Sequence, residues 1–194
     1  MKGSVLTLVL VVWLAATVSC TPSNFFVRAL SEHSQQESLV SSAEIGNMKT
    51  LRRLLDAGIS PESHKGSWSA LNRAVLFGQA EAVEALVHAG ADINAHNPHI
   101  GSAVYLAAAG RRDALLSRLL ERGADPNLTP VWGLTPLMVA AVQGNLPAVS
   151  ALLAHGADPK RTNPAGLSAL DLAREAGHAE VARHIENHAV KSGR

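Results

Sequence analysis

The stretch Thr135-Pro136-Leu137-Met138-Val139-Ala140 decides the fold, because weaker copies of it recur along the chain. These weaker copies begin at Ser69, Ser102 and Ser168. Together with the copy at Thr135, the four starts are each 33 residues apart. A fixed period of roughly 20 to 50 residues is the signature of repeat architectures, in which each unit packs against its neighbours. The sequence therefore predicts a stack of similar units.

A second motif keeps the same period. Gly90-Ala91-Asp92-Ile93-Asn94 returns at 123–127 and 156–160, with a degenerate first copy at 58–61. Its glycines follow apolar segments, where a helix can most easily end in a left-handed conformation because glycine has no Cβ. Thr135 precedes an apolar run and can cap a helix through its hydroxyl, and Pro136 suits the first helical position. Each unit is therefore predicted to contain helices.

The two motifs resemble those of the ankyrin-repeat family over roughly residues 37–190. This resemblance implies an all-α solenoid of about five stacked helix-loop-helix repeats. The copies are expected at about 37–65, 66–97, 98–130, 131–162 and 163–190. The turns between the two helices of each copy are expected at Gly46, Gly78, Arg111, Gly144 and Gly177.

Composition supports closely packed helices. Hydrophobic residues make up 47% of the chain but aromatic residues only 4%, which argues against an all-β sandwich. There are 17 basic and 16 acidic residues, and Lys2 lies in the leader described next, so the mature chain is expected to be neutral. Without a basic field, nucleic acid is not an expected partner.

Residues 1–19 have the pattern of a signal peptide: a basic residue, an apolar run from Val5 to Val18 and then small residues. The run is short for a membrane-spanning helix. Cys20 is the only cysteine, and Thr17-Val18-Ser19-Cys20 resembles a bacterial lipobox, although Thr17 stands where a Leu is usual. We expect an exported periplasmic protein with a lipid anchor on Cys20. Ordinary cleavage near Ser19 is the alternative, and residues 20–36 would form a tether or an N-terminal extension.

No catalytic or metal site is predicted. His184 and His188 share a helical face, but Glu186 does not directly follow the first histidine as the zinc-helix pattern requires. Gly166-Leu167-Ser168 resembles part of a nucleophile elbow, but the repeat explains Ser168 as a helix start. An enzyme is therefore not expected, and neither is a cofactor. Exposed His96 and His99 are better candidates for contact with a partner than for metal binding.

The resemblance also implies where a partner protein would bind. Ankyrin arrays bind proteins through the loop tips between repeats and the exposed side of each first helix, which together form a concave surface. Trp68, Phe77 and Trp132 fall at such positions, and exposed apolar surface of this kind often marks a binding site. The alternative is that Trp68 and Trp132 lie flat on neighbouring loops and stabilise the stack. The candidate partner-binding residues are Lys65, Trp68, Leu76, Phe77, His99, Val131, Trp132, Leu134, Val142 and Gln143.

The expected function is that of an exported protein-binding module with another protein as its partner. Exported bacterial ankyrin proteins include immunity proteins that neutralise toxin enzymes acting in the periplasm, which is the most specific hypothesis. The alternatives are an accessory protein for a periplasmic enzyme such as catalase and a structural envelope lipoprotein.

Overall fold

A computed structural model describes residues 22–192. Ten helices occupy this part of the chain, in five pairs, as the repeat period predicts. Their bounds are α1 Pro22–Ile45, α2 Met48–Asp56, α3 Ala70–Leu76, α4 Ala80–His88, α5 Ala103–Ala109, α6 Asp113–Glu121, α7 Pro136–Val142, α8 Leu146–Ala154, α9 Ala169–Glu175 and α10 Ala179–Ser192. Two short antiparallel strands, β1 (His64–Lys65) and β2 (Trp68–Ser69), form a hairpin before α3.

The helices form two layers. The first helices α1, α3, α5, α7 and α9 pack side by side in one layer, and the second helices α2, α4, α6, α8 and α10 lie behind them. Leucine, valine and alanine fill the space between the layers, including the fully buried Leu71, Leu116 and Leu152. The all-α repeat solenoid expected from the sequence is thus confirmed, and none of the described helices is both long and apolar enough to cross a bilayer.

A hydroxyl group starts four of the first helices. The side chains of Ser69, Ser102, Thr135 and Ser168 each accept a hydrogen bond from the backbone N–H three residues later. Pro136 occupies the start of α7, where its missing N–H costs nothing. Both features were predicted from the repeated motif.

Each of the five turns between paired helices contains a residue with a positive φ, in the left-handed conformation. Four of these residues are glycines, and the fifth is Arg111. Gly144 has a φ of 66° and Arg111 a φ of 52°. Arg111 therefore adopts a conformation that costs an L-residue about 1–2 kcal/mol, and it does so where the other four repeats have glycine.

The first helix extends well before the first expected repeat. α1 begins at Pro22 and continues without a break to Ile45, so most of 20–36, expected to form a tether or an N-terminal extension, is helical and continuous with the first repeat. The first repeat thus begins with a helix of 24 residues, compared with seven in α3. Leu39, Val40 and Ala43 are buried near its carboxyl end, which anchors the helix to the stack. Cys20 and the segment 1–19 lie outside the described residues.

Candidate functional site

The carboxyl ends of the first helices bring equivalent residues of all five repeats together. Because these helices lie side by side, two residues from each end form two parallel rows across the molecule, which we call the strip. One row contains Glu44, Leu76, Ala109, Val142 and Glu175, and the other Ile45, Phe77, Gly110, Gln143 and Ala176. The loop tips before α3, α5, α7 and α9 lie at the opposite ends of the same helices.

Most of the exposed large apolar side chains lie in the strip or at a loop tip. Among the described residues there are six: Ile45, Phe77, Val131, Trp132, Val142 and Val190. Three lie in the strip, and two lie at the loop tip before α7, where Val131 is 63% and Trp132 43% exposed. Four of the six were predicted as partner-binding residues, whereas Ile45 was missed. Its position before the turn glycine Gly46 is the signal that could have identified it.

Other predicted binding residues are only partly exposed. Trp68 packs against the core, and the Arg73 guanidinium lies 4.9 Å from the centre of its ring. Leu134 also contacts the core, and Leu76 is half-buried. Trp68 and Leu134 both gain burial by packing where their loops meet the helices.

Trp132 is held in place by the preceding repeat. Its Nε1 donates to the Tyr105 hydroxyl at 3.3 Å, and the Val131 N–H donates to the Pro98 carbonyl at 2.7 Å. Adjacent loop tips are thus linked by both side chains and backbone. A tryptophan fixed in this way loses less rotamer freedom when a partner covers it.

The polar loop residues have two different roles. Lys65 and His99 are exposed, and the Lys65 Nζ lies 3.4 Å from the Ser41 Oγ. His96 instead contacts the next loop, where its Nε2 lies 2.7 Å from the Thr129 carbonyl oxygen. His96 therefore links neighbouring repeats, and His99 is the better candidate for contact with a partner.

Side chains at the turns hydrogen-bond across the repeat junctions, which the sequence analysis did not foresee. Gln79 donates to the Glu44 carbonyl, Arg112 to the Leu76 carbonyl, and the His178 Nε2 lies 2.9 Å from the Val142 oxygen. At the third junction the bonds are reciprocal: Gln143 donates to the Ala109 carbonyl and Arg111 to the Gln143 carbonyl. The strip is therefore supported from beneath by bonds between neighbouring repeats.

A second set of bonds ties the loops that follow the second helices. The side-chain oxygen of Asn94 accepts from the Asp125 N–H at 2.8 Å, and that of Asn127 accepts from the Asp158 N–H at 2.9 Å. Glu62 does the same for Asp92. The asparagine of the repeated exit motif thus connects one repeat to the next.

The fourth residue of the repeated motif forms different hydrogen bonds in different repeats. It is Asn72, Tyr105, Met138 and Asp171 in the four copies. The Asp171 Oδ2 accepts from the Ser168 N–H at 2.9 Å and from its hydroxyl at 2.5 Å. These two hydrogen bonds lower the pKa of Asp171, since they stabilise its carboxylate. Met138 offers its sulfur to the Thr135 N–H instead. Asn72 is buried, and its Oδ1 has no hydrogen-bond partner among the described residues.

Two further histidines, His184 and His155, contact a neighbouring helix and a helix end, respectively. The His184 Nε2 lies 3.2 Å from the Ser150 Oγ, and the His155 Nδ1 lies 2.9 Å from the Ala151 carbonyl oxygen at the end of α8. No group of three or more metal-ligating side chains occurs within residues 22–192.

Comparison with known proteins agrees with this architecture. Human "SH3 and multiple ankyrin repeat domains protein 2" is 32% identical over 103 residues, which cover 52% of this chain and 6% of that protein. Human "Ankyrin repeat, SAM and basic leucine zipper domain-containing protein 1" is 31% identical over 127 residues, which cover 63% of this chain and 27% of that protein. The protein of the same name from Bos taurus is 32% identical over 118 residues, which cover 57% of this chain and 24% of that protein.

The chain therefore spans about a quarter or less of these relatives. The model of a family described as "Ankyrin repeats (3 copies)" matches residues 14–97 and 104–191, which is well over half of the chain. With five helix pairs in the described structure, this match shows that the chain belongs to the ankyrin-repeat family.

Proposed function

We propose that this protein is an exported binding module whose strip and loop tips hold another protein. Ankyrin-repeat domains are generally non-enzymatic modules for protein–protein interaction. The observation that carries the choice of surface is the position of the exposed apolar side chains. Five of the six large ones among the described residues lie in the strip or at the loop tip before α7, and exposed apolar groups of this kind mark binding sites.

Apolar burial should supply most of the affinity. Trp132→Ala is expected to weaken binding by about 2 kcal/mol or more, roughly thirtyfold, because buried tryptophans are frequent hot spots. Lys65→Ala removes an exposed charge at the rim and should cost far less. Titration calorimetry against the captured partner at two salt concentrations measures both effects, with thermal melts of each variant. Normal binding by Trp132→Ala together with loss of affinity at high salt would contradict this proposal.

The partner can be captured by cross-linking the purified chain in envelope extracts. Val131→Asp is the test variant, because it adds a charge at an exposed position while Trp132 keeps its bond to Tyr105. Val190→Ala is the matched control, since Val190 is 59% exposed and lies on the last helix, outside the strip and the loop tips. The proposal is supported if a protein is cross-linked to the Val190→Ala control but not to the Val131→Asp variant. Equal recovery with both variants contradicts it.

Export is proposed from the sequence of residues 1–20, which lie outside the described structure. The short apolar run ending at Cys20 supports a cleaved leader, and the lipobox-like residues support a lipid anchor. Cys20→Ser should release the protein from membranes or block its processing. Metabolic labelling with a fatty-acid analogue tests this, and an unlabelled mature protein starting elsewhere contradicts the anchor.

The most specific role proposed is that of an immunity-type inhibitor of a toxin enzyme that acts in the periplasm. Its support is the leader-like and lipobox-like sequence of residues 1–20 together with a row of exposed apolar side chains suited to covering an enzyme. Assaying the captured enzyme with and without the chain decides the role. Inhibition supports immunity, whereas undiminished activity identifies an accessory role. A partner without enzymatic activity would favour a structural envelope role.

A further inference from the structure

The strip has a charge at each end and none between. Glu44 and Glu175 occupy the same row in the first and fifth repeats, and the three repeats between them contribute Leu76, Ala109 and Val142 to that row. The second row adds no charged residue. A partner segment lying along the strip therefore meets two acidic ends and a centre whose own side chains are uncharged. The exposed Arg111 and Arg112 lie beside this centre, where their guanidinium groups donate to the Gln143 and Leu76 carbonyls.

The two acidic ends are not equivalent. The Glu44 carboxylate already lies 3.5 Å from the Arg73 guanidinium. Glu175 is exposed, and it takes part in none of the ion pairs found among the described residues, since neighbouring Arg174 pairs with Glu186 instead. A cation on a partner would therefore be attracted mainly to the end formed by the fifth repeat.

The centre of the strip has a depression. Ala109 and Gly110 are exposed and carry almost no side chain, whereas Phe77 in the preceding repeat and Val142 in the following one project from the surface. Gly110 is not needed for a left-handed turn, because Arg111 takes that conformation. The third repeat thus leaves a depression between Phe77 and Val142. The Arg112 side chain borders it at Gly110, where an added Cβ would lie 3.5 Å from the Arg112 Cγ.

We propose that the strip binds a protein segment with a bulky apolar side chain that fills the Ala109–Gly110 depression and a cationic side chain that pairs with Glu175. This rests on the proposed function and specifies the partner and its direction. Packed helices lie about 8–10 Å apart, so the two groups are separated by two repeats, or about 16–20 Å. An extended segment rises about 3.3 Å per residue, which places them about five or six residues apart.

Selection from a random display library of twelve-residue peptides against the full chain tests this proposal. Enriched peptides should share a bulky apolar residue with Lys or Arg about five or six residues away. Ala109→Leu should weaken them roughly tenfold or more by filling the depression. Glu175→Gln should weaken them about threefold to fivefold at low salt and less at high salt. Glu180→Gln is the matched control and should have little effect, because Glu180 is exposed on α10 and lies outside the strip.

Two further measurements distinguish a loss of binding from a loss of folding in the variants. Glu175→Lys should enrich peptides with Asp or Glu at the position where the wild type selects a cation, and only a folded strip can give this reversal. Circular dichroism of Ala109→Leu should match the wild type, since the side chain at 109 is exposed.

The outcomes separate this inference from the proposed function. Peptides that require Phe77 but lack a cation, or bind Ala109→Leu normally, overturn the inference and leave the binding surface in place. If the selected peptides bind the Phe77→Ser and Val131→Asp variants as tightly as the wild type, the proposed binding surface itself is contradicted. A library that enriches no sequence overturns the inference, because a short linear segment is what it specifies, while capture of the partner still decides the proposed function.

Discussion

At the scale of single residues, the start of α9 depends on an ionised carboxylate. Asp171 accepts two hydrogen bonds from Ser168, while the Ser168 hydroxyl accepts one from the Asp171 N–H. This reciprocal cap satisfies donors that the first turn of a helix would otherwise leave unpaired. Because the pKa of Asp171 is lowered in the folded chain, its charge stabilises the fold.

Asp171→Asn should therefore reduce the free energy of unfolding at neutral pH. The contribution of the wild-type carboxylate is present above the ordinary pKa of 3.8 and is lost as the pH falls through the lower folded value. The difference between variant and wild type should thus shrink at acid pH. Urea unfolding at several pH values measures it, with Glu175→Gln as a control on the same helix. A difference that does not change with pH would contradict the role of the charge.

At the scale of secondary-structure elements, the turns between paired helices are also contact points between repeats. A Cβ added to Gly144 would lie 2.6 Å from the His178 Nδ1. Gly144 therefore has two roles: it adopts the left-handed conformation of its turn, and its missing Cβ leaves space for the His178 ring of the next repeat. Gly156 has a positive φ as well, but a Cβ there would meet no atom within 4 Å.

Gly144→Ala should consequently destabilise the chain more than Gly156→Ala does. Both variants incur the cost of a left-handed L-residue, about 1–2 kcal/mol, and only the former must also displace His178. Chemical denaturation of the two variants gives the difference directly. Equal destabilisation would show that the contact between Gly144 and His178 contributes nothing.

The sequence could predict the elements better than the bonds between them. The helix pairs, the capping hydroxyls and the position of the turn at Arg111 follow from local rules applied to a repeated motif. The junction bonds of Gln79 and Gln143 could not be predicted, because they depend on how far a side chain reaches into the neighbouring repeat. For the same reason the sequence left open whether Trp68 contacts a partner or packs on the stack, and in the structure it packs against the core.

At the scale of the whole molecule, the fifth repeat closes the stack. α8 contains no charged residue, and α10 packs against it while presenting Glu180, Arg183 and Glu186 among its own residues. Terminal units of repeat proteins need such a polar outer face to remain soluble.

Truncation after Pro159 should expose the apolar side of α7 and α8. The shortened chain is expected to associate at micromolar concentrations and to melt at a lower temperature than the full chain. Sedimentation velocity and thermal melts monitored by circular dichroism measure these changes. A soluble, monomeric and cooperatively folding truncation would show that the fifth repeat is not a cap.

The reciprocal bonds at the third junction have a mechanical consequence. Each of the other three junctions has one such bond at this edge, whereas Arg111 and Gln143 connect the third and fourth repeats in both directions. Two opposed bonds resist shear between neighbouring units more strongly than one. Sliding between the third and fourth repeats should therefore be resisted more strongly at this edge than sliding at the other junctions, and the depression at Ala109–Gly110 lies beside that doubly bonded edge.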